Sequence, residues 1–234
     1  MADTKISELT AAPGVTADDL FVVVDGGATK KATAGQVRDF VNASTGAVNV
    51  PHVAGRWYVA HRGALNTGAA ATVMRLSPFV LTETLTIDAL GARVNTLFSG
   101  GLFGLAIYAH NAVTGNPTGA ALAQVMGLST TTLGVRSAVL GAAVQLPPGV
   151  YWAALLVDNT TAVVQAVGLQ SEQGNWIGDS DIAVVTTGSS NAQGAKSVTG
   201  SGYGAGFIDL TGATFGTVNN IGGPALCFRV ASVP

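Results

Sequence analysis

From Arg56 to the C-terminus, short apolar runs alternate with turn-forming residues, and this pattern limits the fold more than any other feature of the chain. No stretch of this part has the apolar spacing of a convincing amphipathic helix. Short strands bounded by turn signals are typical of sandwiches and barrels. The sequence therefore predicts an all-β fold over residues 56–234, an antiparallel β-sandwich of jelly-roll type.

Local signals predict how these strands run. The Pro147-Pro148-Gly149 corner predicts a hairpin, and the run after it, residues 150–157, is apolar on both faces, which predicts a central strand. A turn is expected at residues 115–119. The apolar residues stand at odd positions up to Ala89 and at even positions from Leu90 onward. Gly91 lies at this change, which predicts a β-bulge. Further strands are expected at residues 85–94, 103–109, 138–146, 163–169, 182–186, 206–210 and 226–230, with Trp57, Tyr58 and Trp152 in the core.

Charged residues are few and unevenly placed. The 234 residues carry 11 Lys+Arg and 13 Asp+Glu, a net charge of −2, and ten of these 24 side chains lie within residues 1–41. The shift predicts a module boundary, with an N-terminal module at 1–41, a linker at 42–55 and the sandwich at 56–234. A weak net charge gives no electrostatic case for a nucleic-acid partner.

The sequence also argues against membrane insertion and a disulfide framework. Residues 94–135 lack charged side chains, but Asn, Ser, Gly, His and Pro interrupt them, and a membrane-spanning helix needs about 20 mainly apolar residues in a row. The N-terminus has no apolar signal segment, which predicts synthesis in the cytoplasm. Cys227 is the single cysteine and has no internal partner for a disulfide.

No pattern predicts a catalytic residue, a metal site or a cofactor. His52, His61 and His110 are scattered, so short-range ligand pairs are missing. A Gly-x-Ser-x-Gly motif is absent, and the alternating glycines at residues 200–206 match no phosphate loop. A carbohydrate-active enzyme would need two carboxylates in a cleft, one with a raised pKa, and the sequence nominates no such pair.

Residues 174–181, Gly-Asn-Trp-Ile-Gly-Asp-Ser-Asp, form the most suggestive polar segment. A tryptophan in such a loop stacks on sugar rings, while nearby carboxylates bind hydroxyl groups or calcium. The alternative is a core tryptophan that anchors a polar turn. The candidate ligand-binding residues are Asn175, Trp176, Asp179 and Asp181.

The local sequence of the N-terminal module predicts two strands and a short helix. Residues 20–24 predict a strand, and Gly26 and Gly27 predict a turn into a second strand at 29–32. Thr33 and Gln36 form a capping-box pattern for a short helix whose apolar stripe is Val37, Phe40 and Val41. About 40 residues of this kind bury little surface alone, so a partner surface or sister copies are expected.

The stretch from Lys5 to Thr33 resembles the leader of many tailed-bacteriophage virion proteins. It combines an Ile-Ser-Glu-Leu start, an Asp-Leu-Phe-Val-Val strand, a glycine turn and Thr-Lys-Lys-Ala-Thr. Two further segments are similar in style to phage fibre and capsid-appendage sandwiches. They are residues 107–109 followed by 116–119, and residues 146–152. The resemblance implies a homotrimer that docks on other virion proteins through residues 1–41, with Ile6, Leu9, Leu20, Phe21, Val37, Phe40 and Val41 as docking residues.

The resemblance implies a non-enzymatic structural protein of the virion, assembled in the host cytoplasm. The leading hypothesis is a short tail fibre whose sandwich attaches to the host surface, with a surface glycan as the candidate receptor. A capsid-decoration or head-fibre protein has the same architecture and is the first alternative. The alternative from another class is a carbohydrate-active enzyme domain.

Overall fold

The computed structural model describes residues 20–25, 28–33, 52–60, 65–68, 73–166, 196–217 and 224–234. The chain divides into two compact units, residues 1–51 and residues 52–234. The described residues form β-strands and one short 3₁₀ turn at Tyr203–Ala205. Within them, no helix is long and apolar enough to cross a bilayer.

The first unit contains an antiparallel pair of strands, β1 (Leu20–Asp25) and β2 (Ala28–Thr33). Asp25 pairs with Ala28, so the two-residue connection is the Gly26-Gly27 dipeptide that predicted the turn. The predicted pair of strands is confirmed. The predicted short helix with its apolar stripe lies outside the described residues.

The second unit is built from twelve described strands. They are β3 (Trp57–Val59), β4 (Leu65–Gly68), β5 (Val73–Leu81), β6 (Leu85–Thr96), β7 (Leu102–Asn111), β8 (Asn116–Ser129), β9 (Gly134–Leu146), β10 (Gly149–Val157), β11 (Val163–Ala166), β12 (Lys196–Thr199), β13 (Gly216–Thr217) and β14 (Cys227–Ser232). Every pairing between them is antiparallel.

These strands form two sheets. The first sheet has the order β13-β12-β5-β10-β7-β8. The second has the order β3-β14-β6-β11-β4, with β9 also paired to β6. Because β9 and β11 both pair at Val94, β9 lies on one edge of β6, and β14 and β11 share the other edge. The predicted all-β sandwich is confirmed.

An inner core fills the space between the sheets. Alternate residues of facing strands enter it, among them Phe103, Leu105 and Ile107 of β7 and Leu85 and Ile87 of β6. Their period-2 spacing in the sequence is the pattern expected of strands with one face on the core. The predicted strand at residues 103–109 is confirmed, since it lies within β7.

A second, outer core covers the other face of the first sheet. Trp152, Leu156 and Tyr108 face it, and the irregular segment of residues 200–215 packs Leu210 and Phe207 against them. The Tyr108 hydroxyl donates to Ile208 O at 2.8 Å. Burial on both faces explains why β10 is apolar throughout, and its central position in the sheet is as predicted.

The segment over the outer core was predicted to contain a strand at residues 206–210, and this prediction is wrong. Gly206 has φ of +68°, which breaks an extended run, and Phe207 and Ile208 pack on the sheet without joining it. Isolated hydrogen bonds connect the segment to the sheet. They run from Leu210 N to Gly119 O at 2.9 Å and from Met74 N to Ser201 Oγ at 3.1 Å.

Two predicted turns need correction. Pro147 and Pro148 connect β9 of the second sheet to β10 of the first, so the corner is a crossover between sheets and not a hairpin. The predicted turn at residues 115–119 lies earlier, at residues 112–115, where Asn111 Oδ1 accepts from Val113 N at 2.9 Å. Pro117 instead lies in β8, and an outermost strand tolerates a residue without an N–H.

The β-bulge of β6 lies at Asp88 and not at the predicted Gly91. The registers of β6 with β9 and with β14 both shift beside Asp88, between Ile87 and Ala89. Ile87 and Leu90 both enter the inner core, so Asp88 and Ala89 together face away from it. Gly91 has a different role, because a Cβ there would lie 3.0 Å from Arg136 O of the neighbouring strand.

Candidate functional site: an exposed tryptophan surface and an apolar edge

The residues proposed from the sequence lie largely beyond the described structure. Asn175, Trp176, Asp179 and Asp181 are outside the described residues, so the ligand-binding prediction stays untested. The docking residues Ile6, Leu9, Val37, Phe40 and Val41 are outside them as well. Leu20 and Phe21 lie in β1, where they pair with Thr33 and Ala32. The described residues nevertheless contain two surfaces suited to binding.

Trp57 is exposed, and its prediction as a core residue is wrong. Its side chain lies on the outer face of the second sheet with 43% of the residue exposed, whereas the next residue, Tyr58, packs against the inner core. The alternation along β3 decides this difference, because successive side chains point to opposite faces. Val59 follows on the outer face and is also exposed.

The start of the second unit holds β3 in place. Glu83 Oε1 accepts from His52 N at 2.9 Å and lies 2.6 Å from His52 Nδ1. The His52 ring packs edge-on against Tyr58 with centroids 4.3 Å apart, and Tyr58 Oη accepts from Val53 N at 2.7 Å. Burial alone would raise the pKa of Glu83, but the His52 hydrogen bonds outweigh it and hold that pKa below its usual value.

Arg229 and Asp88 form a bidentate ion pair next to Trp57. Arg229 Nε donates to Asp88 Oδ1 and Nη2 donates to Oδ2, both at 2.8 Å. Asp88 follows the inward-facing Ile87 in β6, so it lies on the outer face of the sheet, where β14 presents Arg229. Hydrogen bonds from Arg229 lower the pKa of Asp88 and raise the pKa of Arg229, so both stay charged and the pair is neutral overall.

The indole and the ion pair form one surface. Arg229 pairs with Trp57 across the sheet, and its guanidinium carbon lies 5.9 Å from the centroid of the Trp57 ring. Such a contact between a cation and an aromatic face is attractive and fixes both groups. We call Trp57, Val59, Asp88 and Arg229 the Trp57 surface.

Small residues lie beside the Trp57 surface. Cys227 pairs with Val59 on one side and with Gly91 on the other, and Gly91 pairs with Ser137 of β9. Burial raises the pKa of the Cys227 thiol, which therefore remains protonated. Trp57 itself is 43% exposed, so its indole is accessible to a ligand.

The second surface is an apolar edge made by β8 and β9. Each of these strands pairs with one other strand among the described residues, β8 with β7 and β9 with β6. Large apolar side chains are exposed on these two strands and on the turn between them, and we call this set the β8–β9 edge: Leu122, Met126, Leu133, Val135 and Val139. Val135 and Val139 are 63% and 66% exposed.

The loops at one end of this edge are held rigidly. Phe98 N donates to Thr130 O at 3.0 Å, and Thr130 N donates to Gly101 O at 2.8 Å. The Thr130 side chain adds a bond to Phe98 O at 3.0 Å. Leu97 and Phe98 are nevertheless exposed at this end. Apolar side chains held on a rigid backbone lose little entropy on binding.

No family model, curated protein or solved structure matches this chain. Its function must therefore be argued from the two surfaces. Within the described ranges, no group of three His, Cys, Asp or Glu side chains could hold a metal ion.

Sequence reasoning missed the Trp57 surface because its members lie far apart in the chain. The one available signal was a pair of opposite charges in otherwise apolar strands. Asp88 interrupts the run Leu-Thr-Ile-Asp-Ala-Leu, and Arg229 is the single charged residue of β14. A charge at such a position commonly needs a partner, but the strand pairing that joins these two is not visible in the sequence.

Proposed function

We propose that this chain is a non-enzymatic structural protein of a bacteriophage virion. Residues 1–41 dock it on the particle, and the sandwich projects as a short homotrimeric tail fibre that attaches to the host surface. The resemblance of the leader supports the docking role. The exposed apolar β8–β9 edge is the observation that carries the proposal, because it fits an assembled subunit better than an isolated one.

Edge strands of monomeric proteins are usually protected by charge, proline or a covering loop. β9 has thirteen residues with Arg136 as its single charged residue. That guanidinium turns back onto its own backbone, donating to Val135 O at 2.7 Å and Thr132 O at 3.0 Å. Subunit interfaces are depleted in charge and enriched in apolar contacts. The β8–β9 edge is thus suited to contact a second copy of the chain.

Replacing Val139 with lysine should shift the protein from a trimer to monomers. A lysine in the subunit contact would lose its hydration, which costs several kilocalories per mole without a partner charge. Light scattering after size-exclusion chromatography at micromolar concentration measures the change. Val113→Lys, at the exposed turn before β8 and at the opposite end of that strand from Leu133, is the matched control and should remain a trimer. A monomeric wild-type chain would contradict the proposal.

Deleting residues 1–41 should leave a folded sandwich that no longer enters particles. The second unit has an inner core of its own, so it is expected to fold without the leader. Gold-labelled antibodies against residues 56–234, viewed on intact particles by electron microscopy, measure incorporation. Normal labelling of particles made with the shortened chain would contradict the docking role of the leader.

A head-decoration protein is the second candidate. The linker at residues 42–55 contains no heptad or collagen-like stalk, which fits a sandwich held close to its docking point. The same antibody label separates the two roles. Label at the tail supports the fibre, and label over the head supports the decoration protein.

A further inference from the structure

We propose that the Trp57 surface binds a neutral pyranose ring of a host-surface saccharide. The inference rests on the proposed function for the source of the saccharide, while the site itself follows from the side chains. It adds to the β8–β9 edge, which we assign to contacts between copies of the chain. The indole of Trp57 would stack on the ring, and the Asp88–Arg229 pair would bind its hydroxyl groups.

The exposed indole supplies the stacking platform. Trp57 holds a large apolar face in water at 43% exposure, and the guanidinium of Arg229 limits its movement. One face of a pyranose ring presents mainly C–H groups, which pack on an aromatic surface and release water from it.

The ion pair supplies the polar contacts. Arg229 uses Nε and Nη2 for Asp88, so the N–H groups of Nη1 have no hydrogen-bond partner among the described residues. Each oxygen of Asp88 accepts one bond from Arg229 and keeps further acceptor capacity. A donor and an acceptor are therefore fixed side by side. Two neighbouring hydroxyl groups, each able to donate and accept, match this arrangement.

The charge of the surface favours a neutral ligand. Asp88 and Arg229 cancel each other, and the hydrogen bonds between them are short and well aligned. An anionic group would have to compete with Asp88 for the guanidinium and would be repelled by the carboxylate. A neutral hydroxyl-bearing ring needs no such exchange. The pair is also already ordered, so binding costs little side-chain entropy.

The proposal is tested by measuring the binding of full-length protein to a printed array of neutral oligosaccharides. The oligosaccharides are built from glucose, galactose, mannose and N-acetylhexosamines. Titration of the best-bound oligosaccharide by calorimetry then gives affinities. We expect Trp57→Ala to weaken binding by at least about tenfold, the loss expected for an aromatic anchor. Trp57→Phe should retain part of the affinity, and Asp88→Asn should lower it with the fold intact. Val80→Ala, at a similarly exposed position of β5, is the matched control and should bind as the wild type does.

The outcomes separate this inference from the proposed function. Binding that depends on Trp57 while the trimer stays intact supports the inference. Failure of the wild type to bind any neutral saccharide overturns it, as does equal binding by Trp57→Ala. Loss of the trimer in Trp57→Ala would also overturn it, since Trp57 would then be a subunit contact. Particle labelling tests the virion role independently, so saccharide binding without labelling leaves the site standing and removes the proposed function.

Discussion

Replacing Trp152 with alanine is expected to lower the free energy of unfolding by about 3–5 kcal/mol, the usual cost of removing a fully buried large aromatic side chain. Trp152 is 0% exposed and lies at the centre of the outer core, between β10 and residues 200–215. For a unit of this size the change corresponds to a melting temperature lower by about 10 °C. Thermal and urea denaturation measure both quantities.

The loss has an apolar and a polar part. Removing the indole leaves a cavity against Leu156, Tyr108 and Leu210, which the surrounding strands fill only in part. It also removes the hydrogen bond from Trp152 Nε1 to His110 Nδ1 at 3.1 Å. Burial lowers the pKa of His110, which favours the neutral ring and keeps Nδ1 as an acceptor that would then be unpaired.

Two further variants separate these parts. Trp152→Phe keeps most of the ring but lacks the donor, so we expect a smaller loss of about 1–2 kcal/mol. Trp57→Ala removes an equally large side chain from the exposed outer face and should cost about 0.5 kcal/mol. If Trp152→Ala and Trp57→Ala destabilised the protein equally, the outer core would not be closed by residues 200–215 as described.

The features that could be predicted from the sequence depend on neighbouring residues. The β1–β2 pair follows from a β-branched run and a Gly-Gly turn, and the central position of β10 follows from its two apolar faces. The buried position of Trp152 follows from the same run. Each of these signals is contained within about 15 residues.

Two of the features that were wrong depend on partners distant in the chain. Pro147 and Pro148 indicate a reversal of direction, but only the pairing of β9 with β6 and of β10 with β5 shows that they connect different sheets. The bulge at Asp88 depends on β14, since Ile87 pairs with Val230 and Ala89 with Arg229, so Asp88 is an extra residue of β6 between two consecutive residues of β14. Opposite Asp88 on the other side, β9 has extra residues of its own, since Ile87 pairs with Val144 and Ala89 with Val139. A single strand carries no information about extra residues in its neighbour.

The Trp57 surface illustrates the same limit for a candidate site. Residues 57, 88 and 229 meet only because β3, β14 and β6 are adjacent strands of one sheet. Their spacing in the sequence matches no motif. By contrast, the ligand-binding prediction at residues 174–181 used a local motif and remains a prediction, since that segment lies outside the described residues.

Replacing Arg75 with methionine is expected to raise the free energy of unfolding by about 1–3 kcal/mol. Arg75 lies in β5 between Leu155 of β10 and Ser197 of β12 and is only 7% exposed. Its Nε and Nη1 atoms are buried and have no hydrogen-bond partner among the residues that the structure describes. Burial lowers the pKa of its guanidinium, because the charged form loses hydration.

Methionine is suited to this position because it is long, unbranched and apolar, and it adapts to irregular space. The substitution removes the desolvation cost of an unpaired cation and retains most of the packing of its methylene stem. Urea denaturation of the full chain measures the change in stability. Arg93→Met, which replaces an exposed arginine of β6, is the control and should change stability by no more than about 0.5 kcal/mol. A loss of stability in Arg75→Met would contradict the prediction and would mean that the guanidinium is paired with an anionic group beyond the described residues.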